Sequence, residues 1–514
     1  MKVFLEKIKK YILQCVYLLF VFILFFSDFK SSRTHNASSY LIFILVSLCL
    51  SLIIFLFMRK FVGVSKDNYY KFYFMLVMTM GSIFIIIAPA FMGSDERTHF
   101  SRAYEISDGH FVTTETEEGI LATMPRSINK AYTGYDDENK SLDGTITYSD
   151  SIERMKIPLN KDNKLNFCSC NETNYFGASL YSPFQYIPHL IGLKLGKVLN
   201  LGPYWLLMLG RFTNLVCFAI LTTIGIKILP KFKLFATLLL CNPVVLAGAT
   251  TFSADGITNA LVFLYVAYIL YLVHTKKVLT LKSKTILFLL AFFIAMCKIV
   301  YFPVILLVFL LPKQSFRNKN ESKKFKVLIT IFSICFSLLW LYFATKFLNN
   351  SSSTAEYQEK FVFLHMFRYI IIVIRTYVYL FGDILANIFF GNQLYHWQLK
   401  VYSFFSLAYV FIISCSIFTE KGNFSLKKNQ KILVILIMLM IVGLISTALF
   451  VQITIPNNKE GIISGIQARY FIPILLVCIS VLNIKKVKFK EKDIFSLFML
   501  MYFPAILTII VRFV

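Results

Sequence analysis

The chain has 514 residues, of which 57% are hydrophobic and 17% aromatic, and its formal net charge is +26. A mean hydropathy of +0.68 excludes an ordinary soluble domain and predicts an integral membrane protein. A charge this high is also typical of nucleic-acid binding, but its placement between apolar runs makes that function unnecessary.

Apolar runs of spanning or near-spanning length recur along the chain. They fall at about 11–28, 39–58, 73–92, 204–226, 234–251, 257–274, 284–297, 299–312, 327–346, 399–418, 432–452, 469–484 and 494–513. These runs predict an all-α polytopic membrane protein with about 13 transmembrane helices. Residues 284–312 are compatible either with two short helices around Lys298 or with one long tilted helix.

Lysine and arginine residues cluster between every second pair of runs, as expected for cytoplasmic loops. The clusters lie at 2–10, 59–71, 227–233, 276–284, 313–326, 421–431 and 485–492. This alternation predicts a cytoplasmic N-terminus, an external C-terminus and an external loop over residues 93–203. The part of that loop from 93 to 180 carries fifteen acidic against nine basic residues, on an otherwise basic chain.

The predicted organisation is one membrane domain with a loop insertion. Residues 1–72 hold two leading helices and a cytoplasmic loop, residues 73–484 form the core with the external loop, and residues 485–514 hold the last helix. Within the loop, 93–112 follows a helical pattern, whereas 113–175 predicts an irregular capping segment with a weak strand pattern at 145–148.

Two segments are amphipathic and predict helices on the outer surface. Residues 179–199 would place Lys194 and Lys197 toward water, and residues 362–382 carry Arg368 and Arg375 within an aromatic run.

Two cysteines of the external loop, Cys168 and Cys170, lie two residues apart. A disulfide between them would be strained, and a metal ion would need more ligands nearby. We interpret both as incidental, with a redox or metal role as the alternative.

The stretch from Gly93 to Arg102 concentrates ionisable residues where the third run ends. It holds Asp95, Glu96, Arg97, His99 and Arg102. Carboxylates and an imidazole at a membrane face are the groups that acid–base chemistry on a lipid-linked substrate needs. We therefore predict catalytic roles for Asp95, Glu96 and His99; helix capping is the alternative for His99.

Four further ionisable residues lie within or at the edges of apolar runs, all at predicted external ends. They are Arg211, Asp255, Lys298 and Arg469. Charged residues in such places are costly and usually functional. Arginines can clamp phosphate oxygens, and a carboxylate can take the proton of an attacking hydroxyl. The alternative is that they form interfacial ion pairs that hold helices in register. His189 is expected to be merely interfacial.

Six motifs carry a resemblance to a known family. They occupy 94–104, 181–188, 209–211, 253–260, 298–303 and 465–471. In this order the chain resembles a bacterial multi-pass membrane family catalogued as domain of unknown function 2142. It is similar in layout to the GT-C glycosyltransferases, the group of protein mannosyltransferases and aminoarabinose transferases. The resemblance covers roughly residues 73–484.

The resemblance implies a GT-C-like fold whose large first external loop contains juxtamembrane helices and carries a catalytic acid beside a lipid cavity. It implies transfer of a sugar, with inversion, from a polyprenyl-phosphate donor to a cell-surface glycan, lipid or protein outside the cytoplasm of a bacterium. Membrane lipids are the other expected partners. Some GT-C enzymes use a divalent metal, Mg or Mn, and the sequence leaves that open; no other cofactor is expected.

Carried over residue by residue, the resemblance makes Asp95 the base and Glu96 a second acid of the same motif. Asp255 matches the acid of the second loop. The residues assigned to the donor phosphate or substrate are Arg102, Arg211, Asp255, Lys298, Tyr301, Gln467, Arg469 and Tyr470. The motif departs from the family pattern in two places: Met92-Gly93-Ser94 replaces the usual proline-rich lead-in, and Arg97 replaces the proline that usually follows the acidic pair.

Two other functions fit a multi-span protein of this kind. A transporter or flippase for lipid-linked sugars would place charges near the membrane midplane and often show internal repeats, neither of which is visible here. A polysaccharide polymerase or ligase usually has its large external loop late in the chain with paired arginines, whereas the large loop here comes early and carries acids.

Overall fold

A computed structural model of the chain describes residues 68–133 apart from 89, 92, 114, 117 and 118, then 152–160, 164–168, 178–346, 353–389, 403–420, 426–452, 461–482, and 489–502 apart from 492, 496 and 500. The predicted helices at 11–28 and 39–58, the strand pattern at 145–148, Cys170 and most of the last predicted helix lie outside these residues.

Helices dominate the described part of the chain. The α-helices are α1 Tyr69–Ile87, α2 Glu96–Ser107, α3 Arg126–Thr133, α4 Ile187–Val198, α5 Pro203–Ile228, α6 Lys233–Leu240, α7 Pro243–Ala249, α8 Ala254–Thr275, α9 Leu281–Met296, α10 Lys319–Lys346, α11 Ser353–Leu364, α12 Met366–Asn387, α13 Ser403–Ile417, α14 Lys428–Gln452 and α15 Ile472–Cys478. The 3-10 helices are Pro183–Tyr186, Ile299–Leu310, Lys313–Ser315, Ala468–Phe471 and Ile479–Val481.

Six of the described helices are long and apolar enough to cross a membrane: α1, α5, α8, α10, α12 and α14. Shorter apolar helices occur at Ile299–Leu310, Ser406–Ile417 and Ala468–Val481. The fold is therefore a predominantly helical, multi-pass membrane architecture. The total of about 13 spans and the GT-C topology stay predictions.

Helix α8 lies at the centre of the bundle, with an acidic residue at one end and a basic residue at the other. Its first turn holds Asp255, and Lys276 follows its last residue. At 1.5 Å per residue the two positions are about 31 Å apart, close to the thickness of a bilayer's hydrocarbon core. We call the end that carries Asp255 the site end and the end that carries Lys276 the basic end. Lys227 and Lys284 also lie at the basic end, where they contact Tyr70 and Glu321.

The structure breaks one predicted apolar run and decides between the two alternatives given for another. Residues 234–251 form α6 and α7, separated at Asn242, whose side chain accepts hydrogen bonds from the N–H groups of Val244 and Val245. Pro243 has no N–H to donate and disfavours a helical conformation before it, which explains the break. Residues 284–312 form α9 and a 3-10 helix rather than one tilted helix, because Lys298 between them is extended.

The external loop contains a small sheet where an irregular segment was predicted. Strands β1 Glu115–Thr116, β2 Gly119–Pro125 and β3 Lys164–Cys168 form an antiparallel sheet in the order β1-β2-β3. The prediction of an irregular segment is therefore wrong here, and the sheet is a local departure from an otherwise helical fold. Strands of two, seven and five residues are too short to give a clear period-two signal.

Helix α4 packs antiparallel against the first turns of α5. A Cβ atom at Gly192 would lie 2.5 Å from the backbone of Leu209, so the two helices approach each other at backbone distance. Of the two lysines predicted to face water, Lys194 is exposed, whereas Lys197 donates a hydrogen bond of 2.6 Å to Asp108. We call the described residues between 93 and 203 the loop domain. The helix is thus a packed part of the loop domain and not an isolated surface helix.

Helix α12, predicted as a second surface helix, is instead long and apolar enough to cross a membrane, and it lies at the edge of the bundle with few buried residues. Near the site end, the hydroxyl groups of Tyr369 and Tyr377 lie 2.9 Å from those of Thr447 and Ser446. Because the two tyrosines are about 12 Å apart along α12 but reach adjacent residues of α14, the helices cross steeply. Just past its other end, the carbonyl of Ile388 accepts a hydrogen bond from Asn242, at the break between α6 and α7.

Candidate active site

Four charged side chains from distant parts of the chain form an alternating row at the site end. Nη2 of Arg469 donates to Oδ2 of Asp95 at 2.5 Å, and Nε of Arg469 lies 3.5 Å from Oδ2 of Asp255. Oδ1 of Asp255 in turn accepts from Nζ of Lys298 at 2.5 Å. We call Asp95, Arg469, Asp255 and Lys298 the charge row.

Each member of the charge row stands where a helix begins or is interrupted. Asp95 precedes α2 with a left-handed backbone, φ 55°, and Asp255 lies in the first turn of α8 behind the capping side chain of Ser253. Lys298 is the extended residue between α9 and the 3-10 helix Ile299–Leu310. Arg469 belongs to the 3-10 helix that leads into α15. Such positions let the side chains converge without interrupting a long helix.

The members of the charge row differ in their access to solvent. The side chain of Asp95 is 33% exposed, against 12% for Asp255, 11% for Arg469 and 10% for Lys298. Two carboxylates and two cations add to no net charge, which is how buried ionic groups are tolerated. Asp95 is therefore the member that an incoming polar molecule reaches first.

Asp95 remains a carboxylate in this setting. Burial by itself would raise the pKa of Asp95, but the neighbouring guanidinium of Arg469 outweighs it and holds that pKa below its ordinary value. Arg469 bonds Oδ2, and none of the described residues donates a hydrogen bond to Oδ1. One oxygen of an ionised acid is thus open to a proton donor from outside the chain.

Glu96, adjacent in sequence, has a different environment. Its two oxygens accept from Nε and Nη2 of Arg211 at 2.8 and 2.6 Å, and from the N–H groups of Phe252 and Gly93, each at 3.0 Å. Both side chains of the pair have no exposed surface, and a third nitrogen of Arg211 donates to the carbonyl of Ala88 at 2.8 Å. The structure therefore places Glu96 and Arg211 in a saturated ion pair that joins α1, α5 and the turn before α8.

His99 lies behind Asp95, one turn into α2, and does not bond to it. Its Nδ1 is 2.7 Å from the hydroxyl of Tyr186, and its ring stacks on Tyr181 at 5.7 Å. Burial lowers the pKa of His99 to about 4, although the carboxylate of Asp95 acts in the opposite direction. The imidazole is therefore neutral near pH 7, and it supports the aromatic wall of the site.

Arg102, predicted as a substrate ligand, lies inside the loop domain instead. It is fully buried, and it donates to Glu105 at 2.8 Å and to the carbonyl of Phe111 at 2.6 Å. These bonds close the chain segment after α2 onto that helix. The structure does not bring Arg102 into the charge row.

An apolar cavity of about 180 Å³ adjoins the charge row at Lys298. Two predicted substrate residues, Tyr301 and Tyr470, line it together, and the hydroxyl of Tyr301 donates to the carbonyl of Tyr470 at 3.0 Å. The cavity lies between α9, α10, α14 and the 3-10 helices; its lining residues are Leu180, Tyr181, Ala295, Cys297, Lys298, Ile299, Val300, Tyr301, Ser337, Trp340, Leu341, Ile445, Ala448, Leu449 and Tyr470. Lys298 is the one charged residue among them.

Tyr181 and Trp340 belong to the site, although neither was predicted as a site residue. The rings of Tyr181 and Tyr470 each have their centre 5.5 Å from Nζ of Lys298, a distance typical of cation–π contact. Trp340, from α10, donates from its ring N–H to the carbonyl of Leu180 at 2.9 Å. Tyr181 occurs in a motif noted for the family resemblance, but its position over Lys298 depends on a contact more than a hundred residues away along the chain.

The prediction that His189 is merely interfacial is wrong. His189 is fully buried, and its Nε2 donates to the carbonyl of Thr251 at 3.2 Å. Burial lowers the pKa of His189 to about 3.

Gln467, two residues before Arg469, has a buried side-chain oxygen without a hydrogen-bond partner among the described residues.

The described residues offer a poor site for a divalent metal. They contain no group of three or more histidine, cysteine or acidic side chains placed to hold one. The two carboxylates of the charge row are engaged by Arg469 and Lys298, so Mg²⁺, which prefers oxygen ligands, would have to displace these cations.

Comparison with known protein families places most of the chain in one of them. The model of the family DUF2142, described as a predicted membrane protein, matches residues 78–478. No curated protein and no solved structure matches the chain.

Proposed function

From the premise that this chain belongs to DUF2142, a family of predicted membrane proteins, we propose that it is a glycosyltransferase of a bacterial cell membrane. It moves one sugar from a polyprenyl-phosphate donor to an acceptor of the cell envelope, with inversion at the sugar carbon. Its site end faces the outside and its basic end the cytoplasm, in keeping with the distribution of lysine and arginine in membrane proteins. The N-terminus is then cytoplasmic.

One observation carries this proposal: the charge row and the apolar cavity meet at Lys298. A lipid phosphate has a negatively charged head and a hydrocarbon chain, and its two halves need these two environments side by side. The ammonium group of Lys298 is held at 2.5 Å from Asp255 between two aromatic rings. Lysine is a compact point charge with three donors, so it can keep Asp255 and still bind a phosphate oxygen.

In the proposed reaction, Asp95 acts as the base. Its open Oδ1 accepts the proton of the acceptor hydroxyl as that oxygen attacks the anomeric carbon of the donor sugar. The bond between this carbon and the phosphate oxygen breaks, and the lipid phosphate leaves with the electron pair. Lys298 stabilises the charge that develops on the leaving oxygen. One bond forms and one breaks in a single displacement, which inverts the sugar carbon.

Arg469 and Asp255 hold the two reacting ends at a fixed separation. Arg469 contacts both carboxylates of the row, so it keeps Asp95 ionised and oriented. Asp255 keeps Lys298 charged beside the apolar cavity. Glu96 and Arg211 do not enter the reaction, because their hydrogen bonds are saturated within the protein.

The test is the Asp95→Asn variant in a bacterial strain whose envelope glycans are profiled by mass spectrometry. The amide keeps the shape of the side chain but cannot take a proton as a carboxylate does, so we expect the product glycan to be lost. The loss corresponds to roughly a hundredfold or greater reduction in rate, the usual contribution of a general base.

The matched control is Asp108→Asn. Asp108 ends the same helix and pairs with Lys197, with 43% of its side chain exposed, but it lies outside the charge row. We expect wild-type glycans from this variant. An Asp95→Asn protein at normal abundance with an unchanged glycan profile would contradict the proposal.

A further inference from the structure

The charge row has two sides with opposite properties. On one side, Lys298 lines the apolar cavity together with Tyr181 and Tyr470. On the other, Asp95 begins the loop domain and does not belong to the lining of the cavity. Arg469 and Asp255 lie between them. A molecule bound at Lys298 and a molecule bound at Asp95 would thus approach the row from different directions.

The cavity side suits hydrocarbon and excludes water-soluble molecules. Its walls from α10 and α14 are formed by Ser337, Trp340, Leu341, Ile445, Ala448 and Leu449. These two helices are among the least buried of the candidate spans: 22% and 33% of their most apolar 18-residue stretches are buried inside the protein. Bringing a free polar or charged molecule through such a surface is unfavourable.

The Asp95 side suits a polar molecule. The side chain of Asp95 is a third exposed, about three times the exposed fraction of Lys298. Ser94 beside it is half-buried, and the helix that follows belongs to a loop whose residues 93–180 carry fifteen acidic and nine basic residues. A partly exposed, ionised oxygen at Asp95 suits a hydroxyl compound that arrives from water.

We infer that the acceptor is a hydrophilic, water-exposed glycan end, which enters from the loop side of the charge row, while the donor enters from the apolar cavity. This inference rests on the proposed function and narrows its acceptor. A lipid acceptor would need a second hydrocarbon path that ends at Asp95, and Asp95 is not among the residues of the cavity. The two substrates would then meet across Arg469 and Asp255 with their entrances separated.

Cysteine labelling of the purified full-length protein in lipid nanodiscs tests the two entrances. Ser94→Cys places a thiol on the Asp95 side, and Ala448→Cys places one in the cavity wall; neither residue belongs to the charge row. Each variant is treated with a charged thiosulfonate or with N-ethylmaleimide, which is uncharged and crosses membranes. Mass spectrometry of the peptide that carries the new cysteine separates its labelling from that of the ten native cysteines.

We expect the charged reagent to label Ser94→Cys roughly tenfold or more faster than Ala448→Cys, because a charge is excluded from apolar surroundings. N-ethylmaleimide should label both. Farnesyl phosphate, used as a short donor probe, should protect Ala448→Cys and leave Ser94→Cys reactive.

Two results would overturn the inference. One is equal protection of both cysteines by farnesyl phosphate, which would mean a shared entrance. The other is labelling of Ala448→Cys, and not of Ser94→Cys, by the charged reagent. This result would place the polar path at the cavity and leave Asp95 accessible only to a lipid-embedded acceptor. Labelling needs no enzymatic activity, so the separate entrances can hold even if Asp95→Asn leaves the glycans unchanged and the proposed reaction fails. A second cavity variant, Leu341→Cys, replaces Ala448→Cys if that protein does not fold.

Discussion

Glu96 and Arg211 face each other through two hydrogen bonds of 2.8 and 2.6 Å, with no exposed surface on either side chain. Asp95, the residue before Glu96, is turned instead toward Arg469 and is a third exposed. Two adjacent acids thus have separate roles: one holds the fold of the site end, and the other is accessible to a substrate. Asp95 has a left-handed backbone conformation at this point, where the two adjacent side chains turn toward different partners.

Breaking the Glu96–Arg211 pair should strongly destabilise the protein. Arg211→Met leaves the carboxylate of Glu96 buried with two backbone donors only, and such a loss typically costs about 3–5 kcal/mol. Thermal unfolding in detergent measures the effect. Replacing both partners, as in Glu96→Gln with Arg211→Met, should recover part of the stability, because no uncompensated charge then remains. A single variant as stable as the wild type would contradict this assignment.

Stability should fall when the pH drops below neutral. The folded-state pKa values of His99 and His189 are lowered to about 4 and about 3, against an ordinary value of 6.5. Between those limits the unfolded chain binds protons that the folded protein does not, so the free energy of unfolding decreases as pH falls through this window. Melting temperatures measured from pH 7.5 to 4.5 check the sign.

The same pH series identifies the histidine responsible. His99→Gln keeps a polar side chain but cannot take up a proton in this range, so its melting temperature should depend less steeply on pH below 6.5 than that of the wild type. An equally steep curve for His99→Gln and for a His189→Gln variant would show that other groups cause the acid sensitivity.

Removing the charge of Lys298 should weaken the binding of a lipid phosphate. The variant is Lys298→Met combined with Asp255→Asn, so that no unpaired acid is left. Because a hydrogen bond to a charged group is stronger than one between neutral groups, we expect the affinity for farnesyl phosphate to fall by roughly 10- to 100-fold. Calorimetry in nanodiscs measures it. Lys194→Met, an exposed lysine on α4, is the control and should bind normally. Equal affinity in the double variant would exclude Lys298 as the phosphate ligand.

Two glycines in helices should respond oppositely to alanine. A Cβ at Gly192 would lie 2.5 Å from the backbone of Leu209, whereas nothing lies within 4 Å of one at Gly382. Gly192→Ala should therefore destabilise the protein by about 1–3 kcal/mol. Gly382→Ala should be neutral or stabilise it by up to about 1 kcal/mol through helix propensity. Thermal unfolding compares the two, and a tolerated Gly192→Ala would contradict the close approach of α4 and α5.

Much of the helical framework could be predicted because its signals are local. The apolar runs at 73–92, 204–226, 257–274 and 432–452 correspond to α1, α5, α8 and α14. The misjudged segments are those in which local signals conflict. Pro243 interrupts an apolar run, and the strands of the loop are too short for their alternation to identify them.

The site was predicted in part for the same reason. A charge at the end of an apolar run is visible in the sequence, so Asp95, Asp255, Lys298 and Arg469 could all be named beforehand. Their pairing could not be predicted. Arg102 and Arg211 are arginines predicted on the external side, as Arg469 is, but neither joins the charge row. Arg102 pairs with Glu105 inside the loop domain, and Arg211 pairs with Glu96.

The sequence by itself determined that this is a helical, multi-pass membrane protein with ionisable residues at one predicted face, because hydropathy and charge act over a few turns of one helix. Only the tertiary structure decided that Glu96 bonds a residue 115 positions away and Asp95 one 374 positions away. The physical reason is that the strength of an ion pair depends on distance and burial in space. Neither quantity is written in the order of residues along the chain.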